Sequence, residues 1–347
     1  MSKYWKDMYI DQNKNLDFPV SYTDNDKIKI IESIDNIDET SEFYRQNNKM
    51  STGNTTLLPP STIQRFLSLP HYSVQIRSQQ DKLMGTVMSL ILPTILDGTV
   101  NKYGFTTFLN VHKSVRGFGL CMALIRRLTE LGHKDEVYSG CQVTSFKLGE
   151  NNIPINSWYR PINLKKCKKL GFLYPNYDNP KLSRKTRLRY KTILSPEIKY
   201  TKGGNLKFYL NYMENKFGFY PDEKLWKIWC NSFPTYTIYK TRSENKKEDI
   251  VGLISINPTH CIIESSGLKG KLLIPFICIG EMEYVIPAMN KIAEEEEYDA
   301  VYCHEHGDLV PGVLDRFKFI KTTTTLYFTL YNSKMNLTPD QIYVPLI

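Results

Sequence analysis

The stretch that decides the fold is FTTFLNVHKSVRGFGLCMALIRRLTEL, Phe105–Leu131. Its first seven residues predict a β-strand, because they are β-rich and mostly apolar. An apolar stripe at spacings of 4, 4 and 3 predicts a helix over 120–131, and it consists of Leu120, Leu124, Leu128 and Leu131. Arg116-Gly117-Phe118-Gly119 joins strand and helix. Glycines let the backbone approach an anion and a helix N-terminus offers unpaired N–H groups, so this order indicates a phosphate-binding loop; a tight turn without a ligand is the alternative.

A weak internal repeat indicates that this α/β unit occurs twice. LMGTVMSLILPT over 83–94 resembles IVGLISINPT over 250–259. Each copy is followed by a second apolar strand and a helical pattern, over Phe105–Val111 and Gly119–Leu131 in the first copy and over Leu272–Ile279 and Met282–Glu296 in the second. We therefore expect two related halves, of which only the first retains the Gly-rich loop.

Length and composition favour a globular protein of two domains. The chain has 347 residues, of which 41% are hydrophobic and 23% charged. Seven cysteines without a CxxC pair indicate a reducing compartment. The N-terminal residues lack the apolar core of a signal peptide, and no stretch approaches 18 consecutive apolar residues. We expect a cytoplasmic protein without a transmembrane segment, with a Pro-rich mobile loop at 49–62 and a connection between the two halves at 180–195.

The net charge of +9 favours anionic partners. A phosphate-rich ligand accounts for part of this charge, and the chain has neither a basic tail nor a nucleic-acid-binding motif. We therefore expect no nucleic-acid partner. The alternative, a nucleic-acid binder, rests on the charge alone and predicts steep salt dependence of DNA binding.

Several segments, in the order of the chain, resemble the hallmark segments of the eukaryotic N-myristoyltransferases. FLNVHK at 108–113, followed by Arg116 and the helix, resembles the family's Asn-Phe-Leu-Cys-Val-His-Lys segment. VYSG at 137–140 resembles Val-Tyr-Thr-Ala-Gly, and WYRPIN at 158–163 resembles Tyr-Trp-His-Arg-Ser-Leu-Asn. LYFTLYN at 326–332 resembles the final strand, and Lys3-Tyr4-Trp5 resembles an N-terminal aromatic pair that touches coenzyme A. The resemblance spans essentially the whole chain.

The resemblance implies a fold, a reaction and its partners. The fold is α/β (α+β), with two pseudo-symmetric GNAT-like acyl-CoA N-acyltransferase halves around a mixed, saddle-shaped sheet. Residues 1–185 would bind acyl-CoA, and residues 186–347 would bind the peptide and carry the catalytic C-terminal carboxylate. The enzyme would transfer a myristoyl group from myristoyl-CoA to the N-terminal glycine of a peptide or protein. We expect it to act as a monomer.

The family's chemistry also implies roles for individual residues. The oxyanion hole falls on the backbone N–H groups of Phe108 and Leu109. The C-terminal carboxylate of Ile347 is the base for the substrate ammonium. The pKa of that ammonium, about 8, lies roughly four units above the pKa of a free α-carboxyl. Burial must therefore bring the two pKa values closer together. Ser139 supplies the hydroxyl near the amine, and Thr107 is the catalytic-site residue just before the oxyanion segment. Coenzyme A binding falls on a larger set: Lys3, Tyr4, Trp5, Phe108, Leu109, Asn110, Val111, Arg116, Gly117, Phe118, Gly119, Leu120 and Cys121.

The chain departs from the family at four places. Thr107 replaces an Asn before the oxyanion segment, and Tyr159 replaces a His. The family's acidic peptide-reading loop corresponds to residues 47–54, which contain no acid, and Thr322-Thr323-Thr324 replaces a Gly-Asp-Gly. These changes predict an altered peptide preference. They also leave two alternatives open: a catalytically inactive acyl-CoA- or lipid-binding homologue, and a GNAT N-acetyltransferase.

A cluster of possible metal ligands, CHEHGD at 303–308, does not predict a metal site. On a strand, Cys303 and Glu305 point one way while His304 and His306 point the other, and no second ligand set has zinc spacing. We interpret the cluster as a polar strand end and expect no metal.

Overall fold

The structure is a computed structural model, and it describes residues 28–47, 54–57, 59–96, 98–144, 147, 152–172, 184–242, 247–263, 266–331 and 337–343. The chain forms two compact units. Unit 1 consists of residues 1–94, 100–153 and 327–336, and unit 2 of residues 95–99, 154–326 and 337–347. The assignment of acyl-CoA binding to residues 1–185 and of peptide binding to residues 186–347 stays a prediction.

The described residues form the following strands and helices. The strands are β1 (Ile28–Ile31), β2 (Asn54–Leu57), β3 (His71–Ser78), β4 (Leu83–Leu96), β5 (Thr99–Val111), β6 (Ser139–Thr144), β7 (Asn152–Pro161), β8 (Ile198–Lys202), β9 (Phe219–Pro221), β10 (Thr235–Thr241), β11 (Glu248–Ile263), β12 (Leu268–Gly280), β13 (Ala300–His304) and β14 (Ile320–Tyr331). The α-helices are α1 (Ile37–Asn47), α2 (Pro60–Leu67), α3 (Leu120–Lys134), α4 (Leu164–Lys169), α5 (Arg184–Tyr190), α6 (Leu206–Lys216), α7 (Glu223–Ser232), α8 (Met282–Glu295) and α9 (Pro311–Arg316).

Unit 1 is a mixed sheet with helix α3 against it. The strand order is β1-β3-β4-β5-β6, followed by residues 327–331 of β14. Strands β3 and β4 pair antiparallel, whereas β5 and β6 pair parallel across the helical connection α3. The predicted apolar stripe of α3 faces the sheet: Leu120, Leu124 and Leu128 are buried with Val74 and Ile76 of β3.

Unit 2 repeats this arrangement. Its strand order is β7-β13-β12-β11-β10-β8. Strands β11 and β12 pair antiparallel, and β12 pairs parallel with β13 across α8. Helix α8 buries Val285, Ile286 and Met289 against the sheet. The series β4-β5-α3-β6 and β11-β12-α8-β13 are therefore two copies of one unit, as the repeat predicted, and the mixed α/β fold class is confirmed.

One local prediction was wrong in part. Residues 54–57 of the expected Pro-rich loop form β2, and α2 begins at Pro60, because proline fits a first helical turn and the helix buries Ile63 and Phe66. The segment 180–195, which stays a predicted connection between the halves, contains α5. That helix has no clear apolar period because, among its residues whose burial is described, only Thr186 and Tyr190 are buried. No helix in the described ranges is both long and apolar enough to cross a membrane.

Candidate active site

The predicted oxyanion segment contains a backbone distortion. Phe108 lies inside β5 but has a φ of 54°. For a bulky side chain this left-handed conformation costs roughly 1–2 kcal/mol. Its buried ring packs edge-on against Phe66, with ring centroids 5.4 Å apart, and against Tyr44 at 6.2 Å. These aromatic contacts hold the strained residue in place.

The distortion lies just beyond the paired part of strands β5 and β6. Their parallel register runs from Tyr103↔Ser139 to Thr106↔Gln142, although β5 continues to Val111 and β6 to Thr144. A left-handed residue turns the peptide groups on both sides of it out of regular ladder geometry. Such displaced N–H groups are the donors that a backbone oxyanion hole requires. Phe108 and Leu109 thus occupy a place suited to that role.

The register separates Ser139 from this place. Ser139 lies opposite Tyr103, which is five residues before Phe108, or roughly 16 Å along a strand. Counting two residues on from Thr106↔Gln142 leads instead to Phe108 and Thr144. Thr107, half-buried, adjoins Phe108 in the chain. Thr144, the last residue of β6, is thus two residues beyond the last pair on its strand, as Phe108 is on β5. The sequence offered no signal for this position, because a parallel register depends on pairing between distant segments.

The Gly-rich loop forms an open cradle at the start of α3. Gly117 has a φ of 90° and Gly119 a φ of 83°, and Gly119 is the N-cap of the helix without a side-chain cap. Arg116, Gly117 and Phe118 are exposed, and apart from Gly117 and its two chain neighbours no described residue has an atom within 4 Å of the position that a Cβ of Gly117 would take. The first N–H groups of α3, those of Leu120 and Cys121, have no carbonyl partner within the helix. An anion at this N-terminus would be stabilised by those groups.

Arg116 fixes the loop by hydrogen bonds and also adds a positive charge to it. Its Nε donates to the carbonyl of Val111 at 3.1 Å, and its Nη2 donates to the carbonyl of Asn47 at 2.6 Å. Burial, followed by the charges of Lys82, Arg116 and Lys113, lowers the pKa of His112. The loop is therefore electropositive. Asn110, buried beside it in the chain, has a side-chain Nδ2 with no hydrogen-bond partner among the described residues.

Unit 2 has a buried carboxylate at the end of β12, shortly before α8. The side chain of Asp308 accepts the N–H of Gly280 at 3.2 Å and forms an ion pair with Lys216. An anion of the protein therefore lies near the start of α8, whereas the loop before α3 is exposed.

The C-terminal segment is anchored inside unit 2. Ile342 pairs with Phe219, and Tyr343 donates its N–H to the Phe219 carbonyl at 2.8 Å. The hydroxyl of Tyr343 accepts the N–H of Cys278, and the Tyr343 side chain is fully buried. The last described residue thus lies in the core, four residues before the end of the chain. Ile347 lies outside the described residues, as do Lys3, Tyr4 and Trp5.

Two buried histidines adjoin this anchor. Burial lowers the pKa of His304 to about 3 and that of His306 to about 4. His304 Nδ1 lies 3.2 Å from the hydroxyl of Ser157, and the His306 ring packs 5.5 Å from the ring of Tyr343. Within the described ranges, no three His, Cys, Asp or Glu side chains form a group that could hold a metal ion.

Comparison with known proteins identifies the fold. No protein-family model matches the sequence, and no curated protein does. The structure is similar to that of Saccharomyces cerevisiae N-myristoyltransferase with bound myristoyl-CoA, with a TM-score of 0.75 and 13% identity over 93% of this chain and 90% of that one. Another structure of that yeast enzyme, with myristoyl-CoA and inhibitors, gives 0.74 and 13% over 93% and 87%.

A more distant similarity in fold is to a fungal multi-domain GH3 β-N-acetylglucosaminidase with a GCN5-related glucosamine N-acetyltransferase region, with a TM-score of 0.54 and 10% identity. The match covers 88% of this chain and 38% of that chain. The similarity to the yeast structures extends over nearly the whole of both chains, and this chain has the fold of the N-myristoyltransferases.

Proposed function

We propose that this protein is an N-myristoyltransferase, which transfers a tetradecanoyl group from myristoyl-CoA to the N-terminal glycine amine of a protein. The observation that carries the proposal is the left-handed conformation of Phe108, at the residue the resemblance assigns to the oxyanion hole. A strained residue persists where the surroundings over-determine it, and such residues cluster at functional sites. The fold of the yeast enzyme with bound myristoyl-CoA supports the acyl donor.

The chain's own groups would divide the work as follows. The loop at 116–119 and the N-terminus of α3 hold the phosphates of coenzyme A. The substrate amine attacks the thioester carbonyl carbon, and the N–H groups of Phe108 and Leu109 stabilise the negative charge on its oxygen. The C–S bond then breaks, the nitrogen gives up its remaining extra proton to the leaving sulfur, and coenzyme A leaves as a thiol. Thr144 is the hydroxyl that we propose near this carbonyl, in place of Ser139.

The base in this proposal is the carboxylate of Ile347. It must take a proton from an ammonium group before the amine can attack, and burial favours that transfer because it disfavours both charged forms. The buried anchor at Ile342 and Tyr343 supports this assignment, since it holds the chain four residues before its end. The seven cysteines are all free, which supports action in a reducing compartment such as the cytoplasm. We propose that the active form is a monomer.

The test is coenzyme A release from myristoyl-CoA by protein without a C-terminal tag. We expect turnover with peptides that begin with glycine and none with matched peptides that begin with alanine. Half of each panel should carry a lysine near the start, because residues 47–54 contain no acid to read it; similar rates with and without lysine are expected. Tight myristoyl-CoA binding without release on any peptide would instead identify an inactive acyl-CoA-binding protein.

Adding one peptide at two places separates the role of the carboxylate from simple folding. A short peptide added after Ile347 moves the carboxylate away and should lower kcat by 100-fold or more, the scale of a lost general base. The same peptide inserted after Gly267, in the exposed turn between β11 and β12, is the matched control and should leave kcat within a factor of about two. Both proteins should bind myristoyl-CoA equally. Equal turnover by both would exclude the carboxylate as the base.

A further inference from the structure

The excess of basic over acidic residues in this protein comes from one segment of the sequence. The chain has 45 basic and 36 acidic residues, and residues 164–191 contain ten of the basic residues and one of the acidic ones. The other parts of the chain are therefore balanced, with 35 of each. Between Asp178 and Glu197 there are six basic residues and no acid. An average over the chain conceals this concentration.

Residues 187–193 combine cations with large exposed aliphatic side chains. Leu188 is 62% exposed and Ile193 is 72% exposed. Arg187, Arg189 and Lys191, beside them in the chain, are exposed too. We name these five residues the basic–apolar surface. Single exposed aliphatic residues are ordinary, but here two of them lie among three exposed cations within seven consecutive residues of the sequence, which is a distinct chemical surface.

A buried arginine of unit 2 fixes the end of α5, so the exposure of the basic–apolar surface does not result from fraying of that helix. The guanidinium of Arg160 donates to the carbonyl of Tyr190 at 3.4 Å and to that of Phe317, and it lies 5.5 Å from the Tyr190 ring. Burial lowers the pKa of Arg160 to about 10. Tyr190 itself is buried. Leu188 and Arg189, which precede Tyr190 in the chain, are thus exposed on a helix whose end is held by Arg160.

Charge complementarity and apolar exposure together define the partner. An anionic lipid surface attracts Lys and Arg side chains, and its acyl boundary removes aliphatic side chains from water. A nucleic acid would neutralise the cations but would leave Leu188 and Ile193 in water. We propose that the basic–apolar surface docks unit 2 on a membrane rich in anionic phospholipid. This inference does not rest on the transferase activity.

The experiment is flotation of the full chain with vesicles of phosphatidylcholine alone or with about a third phosphatidylserine, at physiological salt. Wild type should float only with the anionic vesicles. The triple variant Arg187→Glu, Arg189→Glu, Lys191→Glu should bind at least about 100-fold more weakly, since each lost cation is worth roughly a five-fold change. The double variant Leu188→Ser, Ile193→Ser should lose about ten-fold or more.

A matched control separates this surface from net charge. Lys207, Lys224 and Lys269 are exposed lysines elsewhere in unit 2, and reversing them to Glu lowers the net charge from +9 to +3, as the first triple variant does. The control should bind within about three-fold of wild type, and equal urea midpoints should show that all variants fold. Equal losses in both triple variants, or full binding by the double variant, would overturn the proposal. A single-stranded RNA bound in place of vesicles would assign the surface to nucleic acid.

Discussion

Two buried histidines should make unit 2 sensitive to mild acid. In the folded protein, burial lowers the pKa of His304 to about 3 and that of His306 to about 4, against an ordinary value of 6.5. Below pH 6.5 the unfolded chain therefore binds protons that the folded chain does not. The free energy of unfolding must fall as the pH falls from 6.5 towards 4, and the stabilisation is fully present above 6.5.

The size of the effect at pH 5 depends mainly on the unfolded chain, because both folded pKa values lie below 5. A histidine with a pKa of 6.5 that must stay neutral in the folded state loses about 2 kcal/mol of stability at pH 5. His304 and His306 together should cost about 4 kcal/mol. Burial lowers the pKa values of His112 and His260 as well, so their contributions have the same sign.

The substitution His306→Phe isolates the contribution of His306. The Nε2 atom of His306 has no hydrogen-bond partner among the described residues, so a phenylalanine ring of similar shape fits the environment beside Tyr343. Urea unfolding at pH 7.5 and 5.0 should be followed by tryptophan fluorescence, because Trp158, Trp226 and Trp229 are buried in unit 2. The variant should lose about 2 kcal/mol less than wild type between the two pH values.

A matched substitution in unit 1 controls for the loss of any histidine. His133 is only half-buried, near the end of α3, and His133→Gln should keep the full pH dependence of wild type for unit 2. Identical pH dependence in wild type and in His306→Phe would refute the reasoning, since it would mean that His306 is protonated in the folded protein.

Three further predictions concern the loop, the buried arginine and the anchor. Gly119→Ala forces a side chain into a φ of 83° and should weaken myristoyl-CoA binding measured by calorimetry, whereas Gly98→Ala, at a φ of 75° in another turn, should not. Arg160→Met leaves two helix-end carbonyls without their donor and should lower the free energy of unfolding by about 3 kcal/mol, measured in urea; an unchanged midpoint would contradict this. Tyr343→Phe removes the acceptor of a buried N–H, so we expect a loss of about 1–2 kcal/mol and a larger change in kcat than in KM; an effect on KM alone would count against an anchoring role.

Local patterns predicted the parts of the fold that depend on neighbouring residues in the chain. The spacing of Leu120, Leu124 and Leu128 predicted α3, since an apolar stripe is a local property. The repeat predicted the second unit for the same reason. Helix α5 escaped detection, because too few of its residues are buried to set up a period.

The site depends on long-range geometry that the sequence does not display. Nothing in the letters around Phe108 reveals a positive φ, because phenylalanine rarely adopts one and the aromatic contacts that hold it come from Phe66 and Tyr44. The resemblance suggested Ser139 near the amine, which stays a prediction, and only the pairing of β5 with β6 shows that Ser139 lies opposite Tyr103. Register is a property of two strands, and the sequence of one strand does not determine it.

The carboxylate of Asp308 makes the two copies of the fold unequal as receptors. It accepts the N–H of Gly280 shortly before α8 and forms an ion pair with Lys216, whereas the described loop before α3 is exposed. Under the proposed function, only the loop before α3 is assigned to the phosphates of coenzyme A. A titration of the protein with coenzyme A should reach its end point at one equivalent per chain. The number of bound ligands would then differ from the number of copies of the backbone unit.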